Sequence, residues 1–132
     1  MATRISILLA NAIADSIGTS LNSGSIEIRT GAAPAATTDA DSGTLLWSFT
    51  FDASAFDAAA AGVATNQEVW TGASVASGTA AHFRVKTSGA VVNAQGTVGS
   101  GSGDIDLSSD VVVSPGVITI GAGNFSITVP QV

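Results

Sequence analysis

Apolar residues recur at every fourth position at the start of this chain and at every second position after it. Ile5, Leu9, Ile13 and Ile17 fall on one line, with Leu8 and Ala12 beside them, which is the spacing of a single helix face. The pattern predicts an amphipathic helix from about Arg4 to Ile17, with Thr3 as the cap of its first turn and Gly18 as its left-handed stop. The stripe needs cover, either from the same chain or from a neighbouring subunit.

From Ser25 the period is two. Ile26 and Ile28 alternate with Glu27 and Arg29, so a strand over Ser25 to Thr30 has one apolar face and one charged face. Residues 31 to 42 show no apolar period and read as a long contact-making loop. Leu45, Trp47, Phe49 and Phe51 then share one face and predict the most hydrophobic strand, facing the core. Asp52 to Gly62 reads as an irregular connection with a short turn that anchors Phe56. Val63 to Trp70 reads as a weaker strand.

Between Thr79 and Thr87, Ala81, Phe83 and Val85 alternate with His82, Arg84 and Lys86, which predicts a basic solvent side. Ser88 and Gly89 give a tight reversal into Ala90 to Val98, predicting an antiparallel hairpin. Gly99 to Gly103 reads as a flexible Gly/Ser linker. Short runs follow at Asp104 to Leu107, Val111 to Val113 and Val117 to Ile120, with Pro115 suited to the second position of the turn between the last two. A final strand places Phe125, Ile127 and Val129 on one face before Pro130 stops it.

About eight short strands, with turn signals roughly every ten residues, predict a mainly β, antiparallel sandwich or jelly-roll-like fold preceded by one helix. A single domain over residues 1–132 is expected, with the helix in residues 1–20 and the sandwich in residues 25–130. No longer internal repeat argues for a solenoid or propeller.

Composition narrows the function classes. The mean hydropathy is high at +0.46, yet no run approaches the ~20 apolar residues of a membrane span. Arg4 followed by a short apolar run invites a signal-peptide reading, but Asn11 and Asp15 interrupt it and the helix reading fits better. Four basic against ten acidic residues give a net charge of -6, the wrong balance for tracking phosphates. The absence of cysteine removes disulfides and thiolate metal sites.

The chemical inventory is short. His82 is the lone imidazole and reads as a surface residue rather than a catalytic base. Asp39 and Asp41, and separately Asp104, Asp106 and Asp110, could offer oxygen ligands to calcium. Both groups lack a complete binding pattern and read as turn-forming, solvated residues. Gly99 to Gly103 lacks the Lys and the helix of a phosphate loop. Asn124 to Ser126 matches a glycosylation sequon of little weight in a Ser/Thr-rich chain. Trp47 reads as core. Trp70 reads as more exposed and is the residue on which a sugar-stacking platform would rest. No catalytic, cofactor-binding or metal-ligating residue is assigned.

The order of segments carries one further indication. The N-terminal helix, the strand running into Gly31-Ala32-Ala33-Pro34, the Ser42-Gly43-Thr44-Leu45-Leu46 run, the Phe56 to Gly62 connection, and Ala76-Ser77-Gly78-Thr79-Ala80 leading to Phe83-Arg84-Val85 resemble small structural proteins of tailed bacteriophages, among them head decoration, or cement, proteins. The resemblance covers nearly the whole chain and rests on turn and core residues. It implies a virion structural protein, made in the host cytoplasm, that sits on the outer capsid surface and bridges major capsid protein subunits. The expected partners are that protein and the chain itself as a homotrimer, with no enzyme activity, cofactor, nucleic acid or membrane. Arg29, His82, Arg84 and Lys86 are then candidate docking contacts, and Ile5, Leu9, Ile13 and Ile17 candidate packing residues for the oligomer or the sandwich. A tail or fibre component and a carbohydrate-binding sandwich module are the alternatives.

Overall fold

The computed structural model describes residues 4–129. It is a mainly β, sandwich-like fold behind one N-terminal helix, with ten short strands among the described residues rather than about eight. Helix α1 spans Ile7–Leu21, followed by β1 (Ser25–Thr30), β2 (Leu45–Thr50), β3 (Val63–Thr65), β4 (Trp70–Ala73), β5 (Gly78–Lys86) and β6 (Val92–Gly99). The last four strands are β7 (Ile105–Asp106), β8 (Val111–Val112), β9 (Val117–Ile120) and β10 (Ser126–Thr128).

The main sheet runs in the order β2-β1-β5-β6-β7, with β8 added to β5. Two small antiparallel pairs, β3 with β10 and β4 with β9, complete the fold. The alternation in the sequence sets the register. Ile26 lies between Phe49 and Val85, and Ile28 between Trp47 and Phe83, so the three residues of each cross-strand row turn the same way together. The predicted hairpin of β5 and β6 forms. Its reversal runs from Thr87 to Val91, and Ala90, not Gly89, takes the left-handed conformation at φ 63°.

All five Phe and both Trp residues join one chain of ring contacts through the core. Trp70 sits at its centre, 4.6 Å from Phe51 and 5.4 Å from Phe125 between ring centroids. Its expected exposure is therefore corrected: Trp70 is 0% exposed, as is Trp47. The Val63 to Trp70 run is not one strand, because Asn66 interrupts it. The buried Asn66 amide donates to Glu68 O and Gly121 O and accepts from the Phe125 N–H, tying three segments together.

The helix also departs from expectation. Ser6 caps it, accepting from Leu9 N at 3.2 Å; Thr3 lies outside the described residues. Gly18 does not end it. The buried face is Ala10, Ala14, Gly18 and Leu21, with Ile17 packed at its edge. A Cβ on Gly18 would come within 3.3 Å of Phe56 Cβ, so a small residue lets the helix settle close to the aromatic core. Asn11 and Asp15 fix the other side by accepting from Gly62 N and Ala59 N, each at 2.7 Å. The large residues of the predicted stripe mostly point away from the body: Leu9 is 48% and Ile13 38% exposed, and Ile5, half-buried, precedes the helix.

Gly99 to Gly103 is not a loose linker. Gly101 and Gly103 adopt positive φ, and Gly101 N donates to Asp106 Oδ1 at 2.6 Å. Asp104 Oδ2 accepts from both Thr97 N and Thr97 Oγ1. The loop thus returns the chain so that β7 runs parallel to the end of β6. The Ser114 to Gly116 turn does not join a hairpin either, since β8 pairs with β5 and β9 with β4.

Candidate interaction surfaces

The basic row lies on the sheet face opposite the core, as its alternation requires. Glu27 is paired with Arg84, and Arg29 with His82. That face is not solvent. The loop of residues 31–44, which forms no regular structure, folds back across β1, β5 and β6 and offers its carbonyls to the side chains beneath. Arg84 Nη1 donates to Asp39 O at 3.0 Å and Nη2 to Thr37 O at 2.9 Å and Ala36 O at 3.4 Å. His82 Nδ1 meets Gly31 O at 2.7 Å, so this nitrogen carries the proton, and Gln95 Nε2 donates to Pro34 O at 2.6 Å. His82 is 1% and Arg84 0% exposed, which corrects the reading of a basic solvent side and of His82 as a surface residue.

Two carboxylates neutralise the row. Asp41 reaches Arg84 at 2.6 Å, Lys86 at 2.8 Å and Arg29 at 3.2 Å, while Glu27 reaches Lys86 at 2.9 Å and Arg29 at 3.1 Å. The Lys86 hydrogen bond, against the counter-effect of burial and with Arg84 and Arg29 nearby, holds the Asp41 carboxyl below its usual range. Burial alone would push the Lys86 amine down; the bonds to Asp41 and Glu27 outweigh it and hold the amine above its usual range. Arg29, Arg84, Lys86 and His82 are thus held in internal contacts. They pin a loop.

The other acidic residues serve locally. Asp39 accepts from Ala36 N at 3.0 Å, and Asp104 and Asp106 brace the loop between β6 and β7. Among the described residues no three His, Asp or Glu side chains gather as a metal site, and no helix is long and apolar enough to cross a membrane. Glu68 stands beside Asp52, and desolvation, then that neighbour, push its carboxyl above the usual range.

With the aromatic side chains and Arg29, Arg84 and Lys86 held in internal contacts, the exposed large hydrophobic residues are aliphatic. One group lies on α1: Leu8 is 77% and Ile7 55% exposed, with Leu9 and Ile13 alongside. A second surrounds the Ser114 to Gly116 turn, where Val117 is 71%, Val113 67% and Val111 60% exposed. Val75, 63% exposed, sits one residue after Ser74, whose N–H donates to Gly116 O. Sequence reasoning missed this valine group because each residue belongs to a different short run. Comparisons with family models, with curated proteins and with solved structures return no match to this chain.

Proposed function

We propose that the chain is a structural protein of a tailed-phage virion that decorates the capsid, binding its outer surface and bridging major capsid protein subunits by contact alone. The supporting observation is the distribution of side chains. Every aromatic ring is spent on the core and the basic row on an internal loop, which leaves an acidic surface carrying aliphatic groups on α1 and around the Ser114 to Gly116 turn. Exposed apolar patches bordered by polar surface mark protein contacts, and many weak contacts repeated over a lattice add up through avidity.

The proposed assembly is a homotrimer, with α1 presenting Leu8, Leu9 and Ile13 for contact. Added to undecorated capsids of the parent phage, the purified protein is expected to bind and to raise their melting temperature. Failure to bind at any stage of particle maturation would overturn the reading.

A further inference from the structure

The main sheet is left open along one side of β6. Among the described residues β6 pairs with β5 from Val92 to Thr97; on its other side Thr97 bonds to Asp104 and Val98 and Gly99 are matched by β7, which leaves Val92 to Gly96 without a strand partner. The remaining stretch borders a mainly apolar crevice of about 260 Å³ lined by Ile17 and Leu21 of α1, Val85, Ala94, Phe125 and Ile127, with Asn93 also lining it and donating to Ser20 Oγ of α1 at 2.8 Å. Ala94 pairs with the buried Val85 and so belongs to the core-facing side of the sheet, yet it is exposed. Strand β10, which contributes Ile127, is paired only with β3 among the described residues. The crevice therefore lies between β6 and β10, each with an edge that no strand pairs among the described residues, and the inward side chains of β6 along its open stretch, Ala94 and Gly96, are small.

We infer that this gap receives an extended strand from the protein's partner, which adds to the β6 edge and places alternate apolar side chains in the crevice. An open edge supplies main-chain hydrogen bonds and the pocket beside it supplies side-chain selection, the two halves of strand addition. Charge says what kind of strand. Two of the ten acidic residues, Glu27 and Asp41, hold the ion pairs with Arg29, Arg84 and Lys86, and the remaining eight form no salt bridge among the described residues. Asp104 and Asp106 stand where β7 closes the far end of the open stretch. A second copy of this acidic chain is disfavoured there. The occupant is an uncharged, alternating apolar and polar segment flanked by Lys or Arg. That this segment belongs to the capsid shell rests on the proposed function; the site itself does not.

The test uses the intact protein and a fluorescent peptide of alternating Val and Thr with Lys at both ends, of roughly eight residues, the length of an ordinary strand. The peptide is expected to bind, more weakly as salt rises. Ala94→Glu should weaken binding by about tenfold or more, a difference of about 1.4 kcal/mol, whereas Val69→Glu, an equal charge at an exposed position that does not line the crevice, should leave it unchanged. N-methylation of alternate peptide amides should abolish binding without altering the protein. Absence of binding, or binding indifferent to both Ala94→Glu and N-methylation, would overturn the inference. Peptide binding by a protein that never joins capsids would support the site and overturn the shell reading.

Discussion

Arg84 shows most clearly how a single side chain organises this molecule. Its guanidinium is completely buried and bonded to three loop carbonyls and Asp41, so its removal leaves those acceptors and a carboxylate without their donor. Arg84→Ala is expected to destabilise the fold by about 3–5 kcal/mol, the cost of breaking a buried pair, measured by chemical denaturation. Arg84→Lys should recover little, because an ammonium cannot span the same fork of acceptors. Ala90 is the opposite case. Its φ of 63° costs about 1–2 kcal/mol for a residue with a Cβ, and Gly there loses about 0.4–1 kcal/mol through the unfolded chain. Ala90→Gly should therefore stabilise by roughly 0.5 kcal/mol. The sequence signals the charge of Arg84 and its face, but not its burial, because the carbonyls that bury it come from a loop more than forty residues away with no pattern of its own.

At the scale of elements, the helix and the loop of residues 31–44 each invert a simple expectation. The most regular apolar stripe on α1 was the natural candidate for its packing face; instead Ala10, Ala14 and Gly18 pack inward because the helix must approach Phe56 closely. Leu8→Ser is accordingly expected to change stability by no more than about 0.5 kcal/mol, as for an ordinary surface position, while weakening assembly or capsid binding. A large loss of stability would contradict the assignment of the outward face. The loop answers to pH at both ends of the scale. Asp41 has a folded-state pKa below its reference of 3.8, so its contribution is complete above that value and is lost as pH falls through the lower, folded value. Lys86 has a folded-state pKa above 10.5, so its contribution is complete below that value and is lost as pH rises through the higher one. Glu68 acts in reverse. Its raised pKa means that stability declines as pH climbs from 4.5 through the folded value, and Glu68→Gln should remove that decline in denaturation midpoints measured across pH. Strands β1, β2 and β5 were legible because apolar residues recur at every second position along each of them. The separation of β3 from β4 was not, since it depends on Asn66 bonding to Gly121 and Phe125 far along the chain.

For the whole molecule, a mainly β sandwich behind one helix follows from the alternation and turn spacing alone, and the structure has that form. Trp70 and the basic row lie in internal contacts, because the seven aromatic residues pack into the core and three of the four basic residues, Arg29, Arg84 and Lys86, pair with Glu27 and Asp41. Its contact surfaces were less legible: Val75, Val111, Val113 and Val117 converge only through the pairing of β8 with β5 and β9 with β4, and the open edge of β6 exists only because β7 is short. The central claim, that this surface docks on a phage capsid, is tested most directly by cryo-electron microscopy of the parent particle. Density for this fold is expected on the outside of the head, in contact with more than one shell subunit. Density confined to the tail, or a mature particle without the protein, would contradict it.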